Sequence, residues 1–493
     1  LVAKSFAFEM TSRNERTPRP SVALASAVLA LPLGTACISQ DAGYADMKKT
    51  VHDRIGQDVS WHAIDPDTTR ARDETRALLA KPLSAEAAVR LAVLNSHDLQ
   101  AAFEEIGIAR SRLVRSVALP NPELEGRIGF ISGSRPDLTF TVTESVSDLL
   151  WLPLREGAAR ADLDVAKLRV AGRVLDLVFA VKVAFYERRA AERVLLLTRR
   201  TRDAAEASYE AAERLHQAGN IPDLDYLNQQ ALREESATAA AEAELGLSRA
   251  AGRLAVLVGV ALPRAVPSET GEKTGSSPSV TALPARELDV GRLDQRALER
   301  SLDVAIARGE GDAASKRASL ARATSLVPEL RAGFEAEREE SWALGPVVGL
   351  RLPLFYQGQG EVGEAEARMR RAGETRAALL TRVGAEANLA GARLLSARAK
   401  VARYENVLLP LRRRIVEETL LGYNAMSVGV FQLLQAKRDQ LESELRYVRS
   451  VRDYWVIRTE VELLMAGRLP APGAAEAGPP ETEARGARAA SHD

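Results

Sequence analysis

Cysteine occurs once in the 493-residue chain, at Cys37. A single thiol excludes an intrachain disulfide framework and any metal site built on paired cysteines. Aromatic residues supply only 5% of the chain, while Ala, Leu, Glu and Arg dominate it, which is the composition of long helices and coiled coils. Net charge is missing: 67 basic residues balance 67 acidic ones, and the two signs interleave, so there is no basic footprint for nucleic acid. Beyond residue 36 no run of 18 apolar residues occurs, which excludes a transmembrane helix but not a membrane β-barrel. Histidines are few, and His52, His62, His97, His216 and His492 do not cluster. A pairing of His52 with His62 lacks a third ligand for a metal. No phosphate-cradling glycine loop and no nucleophile motif is present, so the expectation is a chain that is not an enzyme, has no cofactor and holds no metal.

What is present is a duplication. Residues 423–467 read YNAMSVGVFQLLQAKRDQLESELRYVRSVRDYWVIRTEVELLMAG, with Leu434, Leu441, Val448 and Trp455 spaced by seven on an otherwise charged helix. That spacing makes a coiled-coil seam. About 207 residues earlier, AGNIPDLDYLNQQALREESATAAAEAELGLSRAAGRLAVLVGV repeats the pattern, with Leu227 for Leu434 and Asn228 for Gln435. Upstream, Asn121-Pro122-Glu123-Leu124 is answered by Val327-Pro328-Glu329-Leu330, and Trp151-Leu152-Pro153-Leu154 by Arg351-Leu352-Pro353-Leu354. A period near 200 residues is too long for a solenoid and marks two copies of a helix–hairpin–helix module.

The N-terminus reads as an export signal. Arg13, Arg16 and Arg19 precede an uncharged run over 21–36 that ends Gly34-Thr35-Ala36 before Cys37. Residues 1–36 are expected to be a signal peptide, with an extension upstream of Met10, and Cys37 to be the lipid-attachment residue. Gly34 stands where a lipoprotein signal usually has Leu, so an ordinary cleaved signal with an incidental cysteine stays open. Residues 37–82 are polar and read as an extended segment lying along the body. The first repeat spans 83–262, a Ser/Pro/Gly-rich linker 263–286, the second repeat 287–468, and a disordered tail 469–493.

Within each repeat the period changes. Ser84 caps a helix running to about Ala118. Leu124, Gly126, Ile128 and Phe130 then alternate with polar residues, as do Leu138, Phe140 and Val142 with Thr139, Thr141 and Thr143, giving a two-faced hairpin. In the second copy Leu330, Ala332, Phe334 and Ala336 alternate with Arg331, Gly333, Glu335 and Glu337, and the partner strand is expected over 347–354. Pro153 and Pro353 are expected to close the hairpins. The 68 proline-free residues that follow Pro153 predict a helix of roughly 100 Å, and Pro410 predicts a kink in its counterpart. The tips are placed at Gly219, Asn220 and Pro222 and at Gly422 to Gly429.

Four strands cannot close a membrane barrel, since closed barrels start at eight, but three chains would supply twelve. The duplicated strand-to-helix junctions WLPLREGAARADLDVAK and LRLPLFYQGQGEVGEAEAR, the Pro-Glu-Leu strand starts and the tip-plus-helix motifs, in this order over residues 83–467, resemble the TolC-type family of bacterial outer-membrane efflux channels. The resemblance implies a mainly α fold with a small β part: long antiparallel helices in an α-barrel, and two hairpins contributing four strands to a trimeric twelve-stranded β-barrel. It implies a homotrimer in outer-membrane lipid reaching into the periplasm, docked to a periplasmic adaptor and an inner-membrane transporter, giving passive exit to their substrates. The polar N-terminal segment is similar to those of channels linked to heavy-metal export. Family channels often narrow at the tip with carboxylates after the second turn; here Gln432 and Gln435 stand there, and Asp223, Asp225 and Asn228 occupy the first copy. These five are the gate candidates, with helix capping as the competing role. A periplasmic adaptor and a poreless coiled-coil scaffold are the alternatives.

Overall fold

In a computed structural model the described residues are 43–61, 68–130, 136–262, 283–326, 329–338, 341–352 and 354–470. Cys37, the signal segment, His62, most of the linker, Pro353, His492 and nearly all of the tail lie outside them.

The segment expected to be extended is largely helical. Helices α1 (Tyr44–Ile55) and α2 (Thr68–Leu79) form in it, and residues 57–61 follow α1 without helix. The reason is a small aromatic core: Tyr44, Trp61 and Phe103 are buried together, Tyr44 donates to the Val59 carbonyl at 2.8 Å, and Trp61 Nε1 donates to Glu104 at 2.9 Å. Met47 and Val51, one turn apart on α1, sink into the same core. His52 pairs with Asp58 at 3.2 Å, which uses one of the two histidines weighed as metal ligands.

The helix opening the first repeat is two helices, α3 (Ala85–Asn95) and α4 (His97–Val117). Ser84 caps the first, as its type suggests, and Ser96 caps the second by accepting from Leu99 N at 3.3 Å. The second copy breaks at the matching serine: α7 (Leu293–Arg300) gives way to α8 (Leu302–Leu326) at Ser301.

Each copy then contributes a hairpin to one antiparallel sheet, β1 (Glu123–Gly129), β2 (Asp137–Ser145), β3 (Glu329–Arg338) and β4 (Trp342–Arg351), in the order β1-β2-β3-β4. The partner of β3 starts at Trp342, five residues before the expected Val347, so Pro346 lies inside a strand. Proline removes a single N–H from the strand, and within the chain β4 pairs with β3 alone.

Helix α5 (Val146–Gln217) follows directly and runs for 72 residues, roughly 100 Å. Pro153 does not close the hairpin but sits inside α5, two turns from its start. The second copy differs: residues 354–358 are not helical, and α9 (Gln359–Arg403) begins after them. A π-helical turn over Tyr404–Leu408 then precedes α10 (Leu409–Asn424). The irregularity predicted at Pro410 is thus taken up just before it. Pro410 has no N–H to continue the ladder, and Leu409 N donates five residues back, to the Tyr404 carbonyl. The returning helices are α6 (Asp223–Val258) and α11 (Val430–Met465).

Three buried clusters hold the helices. Phe103, Leu175 and Leu254 belong to the largest, around α5; Leu394, Tyr454 and Val461 to one between α9 and α11; and Leu197, Leu441 and Val448 to one joining α5 to α11 across the duplication. Both returning helices end in a left-handed glycine pressed on the break in the short helices. Gly259 (φ 76°) would place a Cβ 2.6 Å from the Asn95 carbonyl oxygen, and Gly467 (φ 92°) lies against that of Arg300. Only glycine fits either place.

Candidate transport surfaces

The sheet register separates the side chains: one face is apolar apart from Glu144 and Arg338 near the strand ends, and the other is polar on the first three strands and small or apolar over most of β4. Leu124, Ile128, Phe140, Val142, Phe334, Leu344 and Val348 share one face. They are exposed in the chain: Leu124 by 72%, Phe334 by 64% and Leu344 by 76%. Trp342 stacks on Phe140 at the hairpin end of this face, with ring centroids 6.4 Å apart. The opposite face carries Glu123, Glu125, Arg127, the three threonines of β2, Arg331 and Glu335. Its charges cross-link the strands. Arg331 reaches Glu123 at 2.8 Å and Glu329 at 2.8 Å, Arg351 reaches Glu329 at 3.1 Å, and Thr141 donates to Glu335 at 3.0 Å. The alternation read in the sequence is therefore realised as a sheet with one apolar and one ionic surface. Strands β1 and β4 each have a single neighbour, so both edges of the sheet are open.

At the first tip, Gly219 takes φ 73° and Asn220 N bonds back to the Leu215 carbonyl at 2.8 Å, while Pro222 caps α6. Asp223 is committed to His216, 2.6 Å away across the turn, and His216 stacks on Tyr226. Tyr226 meets Tyr209 at 2.9 Å, and Arg233 covers the Tyr209 ring. Asp225 and Asn228 are exposed on the first turns of α6. Asp225 N closes the helix start on the Pro222 carbonyl at 3.1 Å.

The second tip is built differently from expectation. Gly422 is not in the turn but in α10, where its carbonyl accepts from Ser427 N and Oγ, both at 2.9 Å. The left-handed position falls to Met426 (φ 58°), 207 residues after Gly219, and this methionine is 94% exposed. Gly429 is the N-cap of α11 in extended conformation; its N–H donates to the Gln432 side chain at 3.1 Å. Gln432 is therefore a capping residue. Gln435 donates to Asp439 at 2.8 Å, and Asp439 also holds Arg412 of α10 at 3.1 Å.

Two ionic locks had no signal in the sequence because their members are far apart in it. Arg468 grips Asp176 with two bonds (2.9 and 2.8 Å) and also Asp303, tying the end of α11 to both copies. Glu287 accepts from Tyr454 (2.6 Å), Arg398 (2.8 Å), Arg458 (2.5 Å) and Leu288 N (2.9 Å). Burial alone would raise the Glu287 carboxyl, but these donors outweigh it and hold it below the usual carboxylate range; the same burial and the Glu287 charge push the Tyr454 hydroxyl up to about 12. Among the described residues no group of three metal-ligating side chains exists and no helix is long and apolar enough to cross a membrane.

No family model matches the chain. It is similar to the cobalt-zinc-cadmium resistance protein CzcC of Cupriavidus metallidurans, 25% identical over 391 residues that cover 78% of this chain and 90% of that one. The MtrE outer membrane channel of Neisseria gonorrhoeae, in its open state, superposes with a TM-score of 0.64 at 17% identity, covering 78% of this chain and 89% of MtrE. The CmeC outer membrane channel of Campylobacter jejuni does so with a TM-score of 0.64 at 15% identity, covering 78% and 86%. The chain has the fold of the TolC-type outer-membrane channels, the family its sequence resembles.

Proposed function

We propose that three copies of this chain form the outer-membrane channel of a tripartite efflux system, a passive exit for substrates handed over by an inner-membrane transporter and a periplasmic adaptor. The observation that carries it is the sheet: one apolar face, one ion-paired face, and two open edges. Joining β4 of each copy to β1 of the next makes twelve strands, removes every edge, and turns the apolar face to lipid and the ionic face to a lumen. Adaptors usually carry one helical hairpin inserted between β domains, whereas here a β-hairpin stands between helices in both copies. The resistance named for the Cupriavidus relative makes cobalt, zinc and cadmium the first cargoes to test.

The two tips, at Gly219–Pro222 and at Ala425–Gly429, would form the docking surface, and Asp225 with Asp223 and Asn228 the narrow mouth. Three copies of Asp225 around an axis repel one another and favour cations, while Gln432 and Gln435 add no charge. Reconstituted trimers should conduct, and Asp225→Asn should lower cation preference and block by multivalent cations. Trimers that never conduct would remove the channel reading; unchanged selectivity in the variant would leave Asp225 as a helix cap only. Cys37 would carry the lipid anchor, and acyl labelling of the native chain tests it.

A further inference from the structure

Away from the sheet and the tips, a cavity of about 340 Å³ opens where α1, α3, α5, the α7–α8 break and the end of α11 meet. Its wall holds Arg54, Glu86, Lys182, Arg300 and Glu462, with Val178 and Met465 as apolar floor. Lys182 and Glu462 neutralise each other at 2.7 Å. The other three charges are not so matched. Arg54 spends one nitrogen on two uncharged acceptors, the carbonyls of Arg300 (2.7 Å) and Ala466 (2.5 Å). The Arg300 side chain is exposed and makes no ion pair among the described residues, nor does Glu86. Asp303, whose charge acts on Arg54, is already hydrogen-bonded by Arg468 and Leu469 N. Burial first, and then the Arg300 charge, hold the Arg54 guanidinium below its ordinary value, and the opposing pull of the Asp303 carboxylate only partly offsets them.

We infer that this cavity binds a small zwitterion of the amino-acid type, such as the free end of a short peptide. Its carboxylate bridges Arg54 and Arg300, its ammonium turns to Glu86, and its side chain rests on Val178 and Met465. A guanidinium pair offers several donors to one carboxylate, and Glu86 opposes ligands that carry negative charge alone. Because the cavity joins the N-terminal segment to both repeats, an occupant would brace that junction. The inference does not depend on the chain conducting.

Full-length protein in detergent would be titrated calorimetrically with alanyl-alanine, N-acetyl-alanyl-alanine and inorganic phosphate. Alanyl-alanine should bind best. Arg300→Gln and Arg300→Glu should weaken it by about tenfold or more, as expected for loss of a charge-assisted bond. Both should fold, since Arg54 is held by the backbone of residue 300 and not by its side chain. Glu86→Gln should bring the dipeptide down to the affinity of its acetylated form. No binding of the dipeptide, equal affinity in the Arg300 variants, or phosphate binding tighter than dipeptide would each overturn the assignment.

Discussion

Replacing Gly467 with alanine separates two costs that a glycine can hide. The first is conformational: at φ 92° a Cβ meets its own backbone, which costs about 1–2 kcal/mol for a non-glycine residue in the left-handed region. The second is steric, for the new methyl would overlap the Arg300 carbonyl oxygen and the Arg54 guanidinium. Moving them apart overpacks the junction, roughly 1–3 kcal/mol. It also strains the bond from Leu302 N to the Gly467 carbonyl, 2.6 Å long, and with it about 1 kcal/mol more. The sum is about 3–6 kcal/mol. Gly219→Ala is the internal control: its φ is 73°, yet nothing lies within 4 Å of the added Cβ, so it carries only the first cost. Thermal unfolding of the two variants, followed by far-ultraviolet circular dichroism in one detergent, should place Gly467→Ala well below Gly219→Ala, with Gly219→Ala slightly below wild type. Equal melting temperatures would refute the close approach of the α11 end to the α7–α8 break.

Phe334→Arg puts a charge on the apolar sheet face and should cost about 2–4 kcal/mol at mid-membrane depth, so that trimers in the outer-membrane fraction fall sharply, whereas Glu335→Gln on the opposite face should leave them. Glu287→Gln removes the carboxylate shared by Arg398 and Arg458 and should destabilise by about 3–5 kcal/mol near neutral pH. Since the folded Glu287 carboxyl titrates below its unfolded value, its contribution is present above the unfolded pKa and is lost as pH falls through the folded one. Melting curves from pH 6 to pH 3 should therefore bring wild type and Glu287→Gln together at the acid end.

Legibility followed periodicity. The duplication, the four strands and the long helices were readable because each repeats a pattern of two, three to four, or seven residues. Boundaries set by tertiary contact were not. Pro153 looked like a stop because proline usually is one, but a long helix tolerates it two turns from its start. Residues 44–55 looked extended because their charged surface hides the two apolar positions, Met47 and Val51, that meet the Tyr44–Trp61–Phe103 core. Met426 escaped notice because a left-handed residue is sought at glycine, and two glycines flank that turn. Gln432 and Gln435 were found as a motif position, yet their hydrogen bonds, to Gly429 N and Asp439, belong to local capping and packing. Arg468, Asp176 and Asp303 meet only after both copies have folded, and no spacing announces that.

The open sheet edges also bear on how the protein is made. The helices carry their own buried clusters and can be protected from water within one chain. The sheet cannot: in the proposed trimer its apolar face would be covered by lipid and its two unpaired edges by neighbouring copies. On the proposed reading, the helical body of an exported chain can fold before assembly while the strands wait for lipid and partner copies, and during that interval the four strands are the segment that needs shielding from pairing with the wrong neighbour.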